Sequence, residues 1–311
     1  MSLLGLTLAA AAQAGPYHPP HTSWGAPDLQ GNWSNGSLTR LERLPGVPAR
    51  IGKGDDVAAI EQKVFDNIVP DDPLGNREAE WWVKGHLAVI DGERRTSWIT
   101  STPDGRVPYT PEGLARRNAA RARAFVDFDG PESRNVSERC LLPGFSVASP
   151  PMQNSPNALG YTIVQTPNAV AIVTEMNGEA RIIRLGGRHD APGGHVWNGD
   201  SVAHWDHETL VVDTVGFRPE EAFRAPILYI GPDAHVVERL TRVSRDEIRY
   251  AFTVDDPANY REPWSGEMVF RAQKAPVYEY ACHEGNSSLA GILQGGRYIE
   301  KHPDATATPA H

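Results

Sequence analysis

The feature that most constrains the fold is an alternation of apolar and polar residues that begins at Tyr161 and continues to Cys282. Successive side chains of a strand point to opposite faces, so a period of two predicts strands with one buried face. Turn-forming residues separate the alternating runs at intervals of roughly ten positions. The predicted strands are 161–165, 169–176, 180–185, 201–205, 209–215, 236–243, 247–254, 265–272 and 276–282.

Short connections join these strands. Asn177-Gly178 and the segment 244–247 are typical of tight hairpins between antiparallel strands. No helices alternate with the strands, which argues against a parallel α/β fold, and no repeat of propeller-blade length is visible. The pattern therefore predicts a mainly β protein with an antiparallel meander barrel, lipocalin-like or sandwich-like, because a closed barrel also removes exposed strand edges.

The first half of the chain has a different composition. Residues 15–150 are rich in proline, glycine and charged residues, and two helices are predicted within them. Residues 57–68 space apolar side chains at helical intervals, and Thr110-Pro111-Glu112 is typical of a helix start, with this helix continuing to about Phe125. We expect this irregular segment to wrap a barrel formed by residues 151–300 and to cover one of its mouths, with a disordered tail over 301–311.

The N-terminal residues predict export. Residues 1–14 form a short apolar run that closes on Ala12-Gln13-Ala14, a small-residue pattern typical of signal-peptide cleavage, although a short buried helix would have a similar composition. We therefore expect a periplasmic or extracellular protein. A net charge of −9 argues against a nucleic-acid partner or an anionic membrane surface, because both require clustered Lys and Arg.

The chain has two cysteines, Cys140 and Cys282. In an oxidising compartment they can pair and join the middle of the chain to its end, whereas two separate buried thiols are the alternative. Cys282 also precedes His283, but neighbours on a strand face opposite sides, which argues against a thiolate–imidazole pair.

Two segments carry candidate catalytic groups. The segment 197–205 contains Asp200 and His204 among tryptophans, and the segment 280–286 contains His283 and Glu284 at the end of a predicted strand. An imidazole near an aromatic cavity suits proton transfer at neutral pH, and Asp200 would orient His204. The alternative is structural, with Asp200 capping a turn, His204 packed between strands and His283 held by hydrogen bonds.

Aromatic and charged residues near these segments are candidates for contact with a substrate. Polar side chains within apolar strands need partners, and Glu175 and Arg181 are expected to pair across the Asn177-Gly178 turn. Glu238 and Arg239 pose the same question, since adjacent strand residues face opposite ways. The predicted substrate-binding residues are Trp197, Trp205, Glu175, Arg181, Tyr280 and Trp264.

Cofactor and metal motifs are weak. The sequence contains no phosphate-binding loop, no glycine-rich dinucleotide motif and no nucleophile elbow, so no cofactor is expected. A group of acidic and imidazole side chains suggests zinc but matches none of the usual ligand spacings, and most of its members are expected at the surface. That group comprises His189, His195, His204, Asp206 and His207.

Seven motifs together resemble a large family of exported bacterial proteins of uncharacterised activity. They cover most of the chain that follows the signal segment. The family pattern includes Asp200, His204, His283 and Glu284, which makes these the preferred site residues, whereas His207 departs from it. The motifs are PDLQGNW (27–33), SERCLLPG (137–144), IVQTP (163–167), GDSVAHW (199–205), TLVVDT (209–214), FTVDDP (252–257) and YACHEGN (280–286).

These observations favour a cofactor-free acid/base enzyme. It would act on a small, partly apolar aromatic or terpenoid molecule in a barrel pocket, by elimination, isomerisation or hydration, with His204, Asp200, His283 and Glu284 as its proton-handling groups. A periplasmic protein that binds an apolar ligand without converting it is the main alternative. Metal-assisted hydrolysis is the third.

Overall fold

The computed structural model describes residues 17–68, 85–124, 127–142, 148–154, 160–190, 194–224 and 228–303. The predicted signal segment 1–14, Phe125 and most of the predicted tail lie outside these ranges. No helix within them is long and apolar enough to cross a membrane. The α-helices are α1 (Val57–Ile68), α2 (Pro111–Ala124) and α3 (Ser288–Lys301). The strands are β1 (Gly31–Ser34), β2 (Val89–Ile90), β3 (Glu93–Arg94), β4 (Gly160–Gln165), β5 (Ala169–Thr174), β6 (Ala180–Leu185), β7 (Asp200–Asp206), β8 (Thr209–Val215), β9 (Phe223–Arg224), β10 (Leu228–Tyr229), β11 (His235–Ser244), β12 (Glu247–Asp255) and β13 (Trp264–Ala272).

Nine of these strands close into a barrel in the order β1-β13-β12-β11-β8-β7-β6-β5-β4. Neighbouring strands are antiparallel except β6 and β7, which are parallel and pair Arg184 with Val202. The connection 186–199 is long enough to return the chain to the end at which β6 began. The predicted mainly β, mostly antiparallel barrel is confirmed, and β6–β7 is its parallel pair.

The alternating pattern located the barrel strands well. Each predicted strand between Tyr161 and Ala272 is present, within two residues at either end. The hairpin at 244–247 joins β11 to β12, with Ser244 paired to Glu247. Asn177 and Gly178, between β5 and β6, both have positive φ, at 62° and 59°, which explains the Asn-Gly dipeptide at this turn.

The predicted strand at 276–282 is wrong, and an unpredicted strand takes its place in the barrel. Residues 274–282 are irregular and mostly exposed on both faces of the alternation. β1 instead pairs with β13 on one side and with β4 on the other, which closes the barrel. The barrel therefore includes one strand from the segment 15–150. Alternation alone cannot separate a strand from an exposed loop when no partner edge remains.

Large side chains fill the interior of the barrel. Trp33, Tyr161, Tyr250 and Trp264 are each at most 1% exposed. Tyr250 contacts the rings of Phe270 and Phe252 at centroid distances of 5.8 and 5.6 Å. Burial of each such ring contributes on the order of 2 to 3 kcal/mol to stability. Of the aromatic residues predicted to contact a substrate, Trp264 belongs to this packed interior.

The segments outside the barrel are attached to it at defined points. The predicted helices are present as α1 and α2, and Thr110 Oγ1 accepts a hydrogen bond from Gly113 N at 2.9 Å, as an N-cap does. The backbone N–H of Glu267 in β13 donates to Trp98 O at 2.9 Å. A disulfide joins Cys140 to Cys282, as one of the two sequence alternatives predicted. This bond ties the irregular stretch before α3 to the middle of the chain.

Candidate functional site

Asp200 and His204 both lie on the outer face of β7, but they do not form the predicted pair. The Asn198-Gly199 turn precedes β7, and both residues have positive φ, at 65° and 69°. A Cβ on Gly199 would lie 2.7 Å from Thr214 Cγ2, so glycine is required for this close approach. His204 is exposed and makes no hydrogen bond with any described residue. The structure therefore gives Asp200 no orienting role toward His204.

His283 and Glu284 lie in a turn between the barrel and α3, and both are exposed. Tyr280, in the same segment, is 43% exposed. Within the described ranges, none of these three side chains forms a hydrogen bond or ion pair with Asp200 or His204. The two motifs singled out from the sequence are therefore not joined into one site by any direct contact.

The three predicted tryptophans occupy three different environments. Trp197, which precedes β7, lies under the guanidinium of Arg218, whose Cζ is 4.6 Å from the ring centroid. Trp205 packs against the core from the inner face of β7. Trp264 is fully buried at the other end of the barrel interior, in β13. The indole N–H groups of Trp205 and Trp264 are buried with no partner among the described residues.

Arg181 lies inside the barrel and pairs with Glu238, not with Glu175 as predicted. Its Nη1 donates to Glu238 Oε1 at 3.0 Å, and its Nη2 donates to Thr214 Oγ1 at 3.1 Å. Arg181 is 3% exposed and Glu238 is 0% exposed. Glu175 instead accepts a hydrogen bond from the backbone N–H of Gly160 at 2.9 Å. The predicted pair fails because Arg181 points inward from β6, while Glu175 lies beyond the end of β5.

Tyr250 completes the charged network in the barrel. Its hydroxyl donates to Glu238 Oε1 at 2.7 Å and accepts from Met152 N at 2.8 Å. Complete burial, followed by the neighbouring Glu238 carboxylate, raises the pKa of Tyr250 well above its usual value, so the phenol stays protonated. A network this well satisfied and this far from solvent is typical of a structural element.

A second group of charged side chains lies on the outer face of the barrel, where a dissolved molecule can reach it. Asp200, His189, Asp213 and His235 form a continuous row of hydrogen bonds, which we call the outer Asp–His chain. Asp200 comes from β7, Asp213 from β8 and His235 from β11, while His189 lies in the connection after β6. Three neighbouring strands and one loop thus bring together residues that span 46 positions from 189 to 235.

His189 lies between the two carboxylates of the outer Asp–His chain, those of Asp200 and Asp213. Its Nδ1 is 3.2 Å from Asp200 Oδ2 and its Nε2 is 2.8 Å from Asp213 Oδ1. Only the doubly protonated ring donates to both carboxylates. Asp200 also accepts from Arg184 Nη2 at 2.7 Å and from the backbone N–H of Asp190 at 2.7 Å. Both ring nitrogens of His189 are therefore engaged, and both oxygens of Asp200 already accept hydrogen bonds.

His235 is the last residue of the outer Asp–His chain and differs from His189 in one respect. Its Nε2 is 2.8 Å from Asp213 Oδ2, while its Nδ1 has no hydrogen-bond partner in the described part of the chain. The side chain is 45% exposed. Since a carboxylate only accepts, Nε2 carries the proton when the ring is neutral, and the lone pair is then on Nδ1. This is the arrangement of a carboxylate-oriented general base.

The outer Asp–His chain also determines the charge state of Asp213. Partial burial by itself would raise the pKa of this carboxyl group, but the hydrogen bonds from His235 and His189 outweigh burial and hold the pKa below its ordinary value. Asp213 is therefore a stable acceptor for both imidazoles.

The sequence contained a weak signal for this site. His189 belongs to the histidine group whose spacing fits no usual zinc site, and no local spacing indicates Asp213 or His235. Alternation places Asp213 and His235 on the outer faces of β8 and β11, and these strands pair Val237 with Asp213. Knowledge of that pairing would have identified the two side chains as neighbours.

No three His, Cys, Asp or Glu side chains in the described ranges are arranged to hold a metal ion. In the zinc-suggestive group, His195 Nδ1 lies 2.9 Å from Phe217 O, and His207 Nδ1 lies 3.0 Å from Asp206 Oδ1.

Comparisons with known protein families and with curated proteins find no match for this chain.

Proposed function

We propose that this protein is an acid/base enzyme in which His235, oriented by Asp213, removes or returns a proton. The observation that carries the proposal is the 2.8 Å contact between His235 Nε2 and Asp213 Oδ2, in a side chain that is 45% exposed and whose Nδ1 has no partner among the described residues. The reaction class is the one the sequence favours, elimination, isomerisation or hydration without a cofactor. The proton-transferring group is His235 in place of His204.

The surroundings of His235 suit a small, partly apolar substrate. Val237 follows two positions later on the same face of β11, and Val215 occupies the same face of β8 as Asp213. Both valines are half-buried. Trp197 and Arg218 flank the same end of the barrel, where β7 begins and β8 ends. A planar molecule can pack on these apolar groups while its acidic C–H faces Nδ1.

We also propose that the protein is exported. The disulfide between Cys140 and Cys282 supports this, because such bonds persist mainly in oxidising compartments.

A base-dependent probe tests the catalytic proposal. In 5-nitrobenzisoxazole, removal of the C3 proton breaks the ring N–O bond and releases a coloured cyanophenolate, so the reaction needs only a base and no cofactor. We expect the protein to catalyse this ring opening and His235→Gln to lower kcat/KM about 100-fold. Asp213→Asn should also slow the reaction, because the ring loses its orientation.

His204→Gln is the matched control. It removes another exposed imidazole from the outer face of the barrel, one without a hydrogen-bond partner among the described residues. If His204→Gln and His235→Gln slow the reaction equally, or if neither slows it, the assignment to His235 is wrong. The positioning role of Asp213 has a separate readout. Nitrogen NMR of His235 should show the proton on Nε2 in the unchanged protein and a mixture of tautomers in Asp213→Asn.

A further inference from the structure

A cleft of about 460 Å³ lies outside the barrel, between the segments 43–52 and 93–103. Its walls contain four arginines and four hydroxyl side chains. The volume is within the usual range for small-molecule sites. The arginines are Arg43, Arg50, Arg94 and Arg95, and the hydroxyl residues are Thr96, Ser97, Thr100 and Thr102.

The charge of the cleft is opposite to that of the protein. The chain carries a net charge of −9, yet Glu93 is the one acidic residue among the described residues that line the cleft. Glu93 Oε2 lies 3.7 Å from Arg95 Nη1, so it offsets one arginine in part. A concave surface lined by one sign of charge concentrates the field and attracts the opposite ion.

Several N–H donors in the cleft have no acceptor among the described residues. Arg50 and Arg94 form no hydrogen bond or ion pair with any described residue and are exposed. Arg95 Nη2 donates to Glu267 at 3.1 Å, but Arg95 Nε is buried without a partner among those residues. The exposed guanidinium groups of Arg50 and Arg94 are therefore available to an acceptor that enters the cleft.

The wall around Arg43 is rigid. Arg43 Nε donates to Thr96 Oγ1 at 3.3 Å and Nη1 donates to Pro103 O at 3.0 Å. Its backbone N–H donates to Gly105 O at 3.0 Å. A Cβ on Gly105 would lie 2.9 Å from Arg43 Nη2, so the absence of a side chain there leaves room for the guanidinium. A guanidinium already held in place loses little freedom when it binds a ligand.

We propose that this cleft binds a small molecule that carries two or more oxyanion groups. Guanidinium groups match carboxylate and phosphate oxygens in pairs, and four of them in one cleft exceed what a single oxyanion requires. The site lies on residues that do not contribute to the outer Asp–His chain, so it is independent of the proposed catalytic function.

Calorimetric titration at constant ionic strength tests the proposal with three probes: citrate, succinate and inorganic phosphate. We expect saturable binding of citrate or succinate and weaker binding of inorganic phosphate, which is a single oxyanion; binding of phosphate alone would contradict the proposal. The double variant Arg50→Gln/Arg94→Gln should weaken binding about tenfold or more. Both arginines are exposed, so the variant should keep the Tm of the unchanged protein.

The control is Arg121→Gln/Arg188→Gln, which removes the same charge from two exposed arginines outside the cleft. Its affinity for the probes should equal that of the unchanged protein. Equal weakening by the two double variants would show a general charge effect and would overturn the proposal. Absence of saturable binding for all three probes would overturn it as well.

Discussion

Arg181 and Glu238, 57 positions apart in the sequence, form an ion pair through two guanidinium nitrogens across the interior of the barrel. They belong to β6 and β11, which are separated by β7 and β8 in the strand order. The contact therefore crosses the barrel and does not run along its wall. Neither partner reaches solvent, so each charge depends on the other.

Removal of one charge of this pair should destabilise the protein strongly. Glu238→Gln leaves the Arg181 guanidinium buried without a counter-ion, and we expect a loss of about 3 to 5 kcal/mol in the free energy of unfolding. Urea denaturation measures this loss.

Arg239→Gln is the neighbouring control. Arg239 faces outward, where its Nη2 lies 2.7 Å from Asp206 Oδ2 and both side chains are largely exposed. We expect little change in stability, because exposed ion pairs contribute little. Equal effects at positions 238 and 239 would contradict the inward placement of Glu238.

The hydroxyl of Tyr250 should contribute through two buried partners. Tyr250→Phe keeps the ring in the aromatic core but leaves Met152 N without an acceptor and Glu238 without one donor. We expect a loss of about 1 to 3 kcal/mol, measured by urea denaturation. Tyr298→Phe, which removes a hydroxyl from an exposed ring in α3, should leave the stability unchanged.

Loss of the disulfide should lower stability without unfolding the barrel, because neither Cys140 nor Cys282 lies in a barrel strand. We expect the double variant Cys140→Ala/Cys282→Ala to lose about 2 to 5 kcal/mol while keeping the β-type circular dichroism spectrum. A reductant should lower the Tm of the unchanged protein and leave that of the variant where it was. A reductant effect of the same size in both would refute this account.

The lowered pKa of the Asp213 carboxyl group predicts that the stability of the protein depends on pH. The pKa of this carboxyl group is lower in the folded protein than the ordinary value of 3.8, so the folded state favours the ionised form. The resulting stabilisation is fully present above that ordinary value and is lost as pH falls through the lower folded pKa. The stability difference between the unchanged protein and Asp213→Ala should therefore stay constant between about pH 5 and 6. It should shrink below about pH 4.

Asp255→Ala serves as the comparison for that titration. Asp255 is exposed in β12, opposite His235, and has no hydrogen bond or ion pair among the described residues. Its stability difference should be small and should not change over the same pH range. Parallel curves for the two variants would show that the imidazoles do not hold the Asp213 carboxylate.

The candidate site was only partly predictable. The sequence predicts that Asp200 orients His204, whereas in the structure the imidazole beside Asp200 is that of His189, eleven positions earlier. Local spacing suggests a contact between Asp200 and His204, because both residues lie on one face of β7. In a sheet, however, a side chain can also meet residues from neighbouring strands and from loops that fold back, and spacing along one strand contains no information about these.

Alternation predicted the buried faces of most barrel strands but misled at one segment and gave no signal at another. The barrel strands β4 to β8 and β11 to β13 show a clear buried face, which the sequence pattern identified. The stretch 276–282 has the same alternation but lies outside the barrel, and β1 is too short to show any period. The disulfide could be proposed from two cysteines alone, yet the choice between pairing and separate thiols required their positions in space.

The sequence by itself determined the β class of this protein, the positions of its principal strands and both helices of its first half, because these depend on side-chain periodicity and local turn chemistry. The tertiary structure alone decided that the barrel closes through β1, that Arg181 pairs with Glu238, and that His235 stands at the end of an Asp–His chain. Each of these depends on which strands become neighbours. That choice is made by the packing of the whole core, where residues far apart in the chain compete for the same buried space.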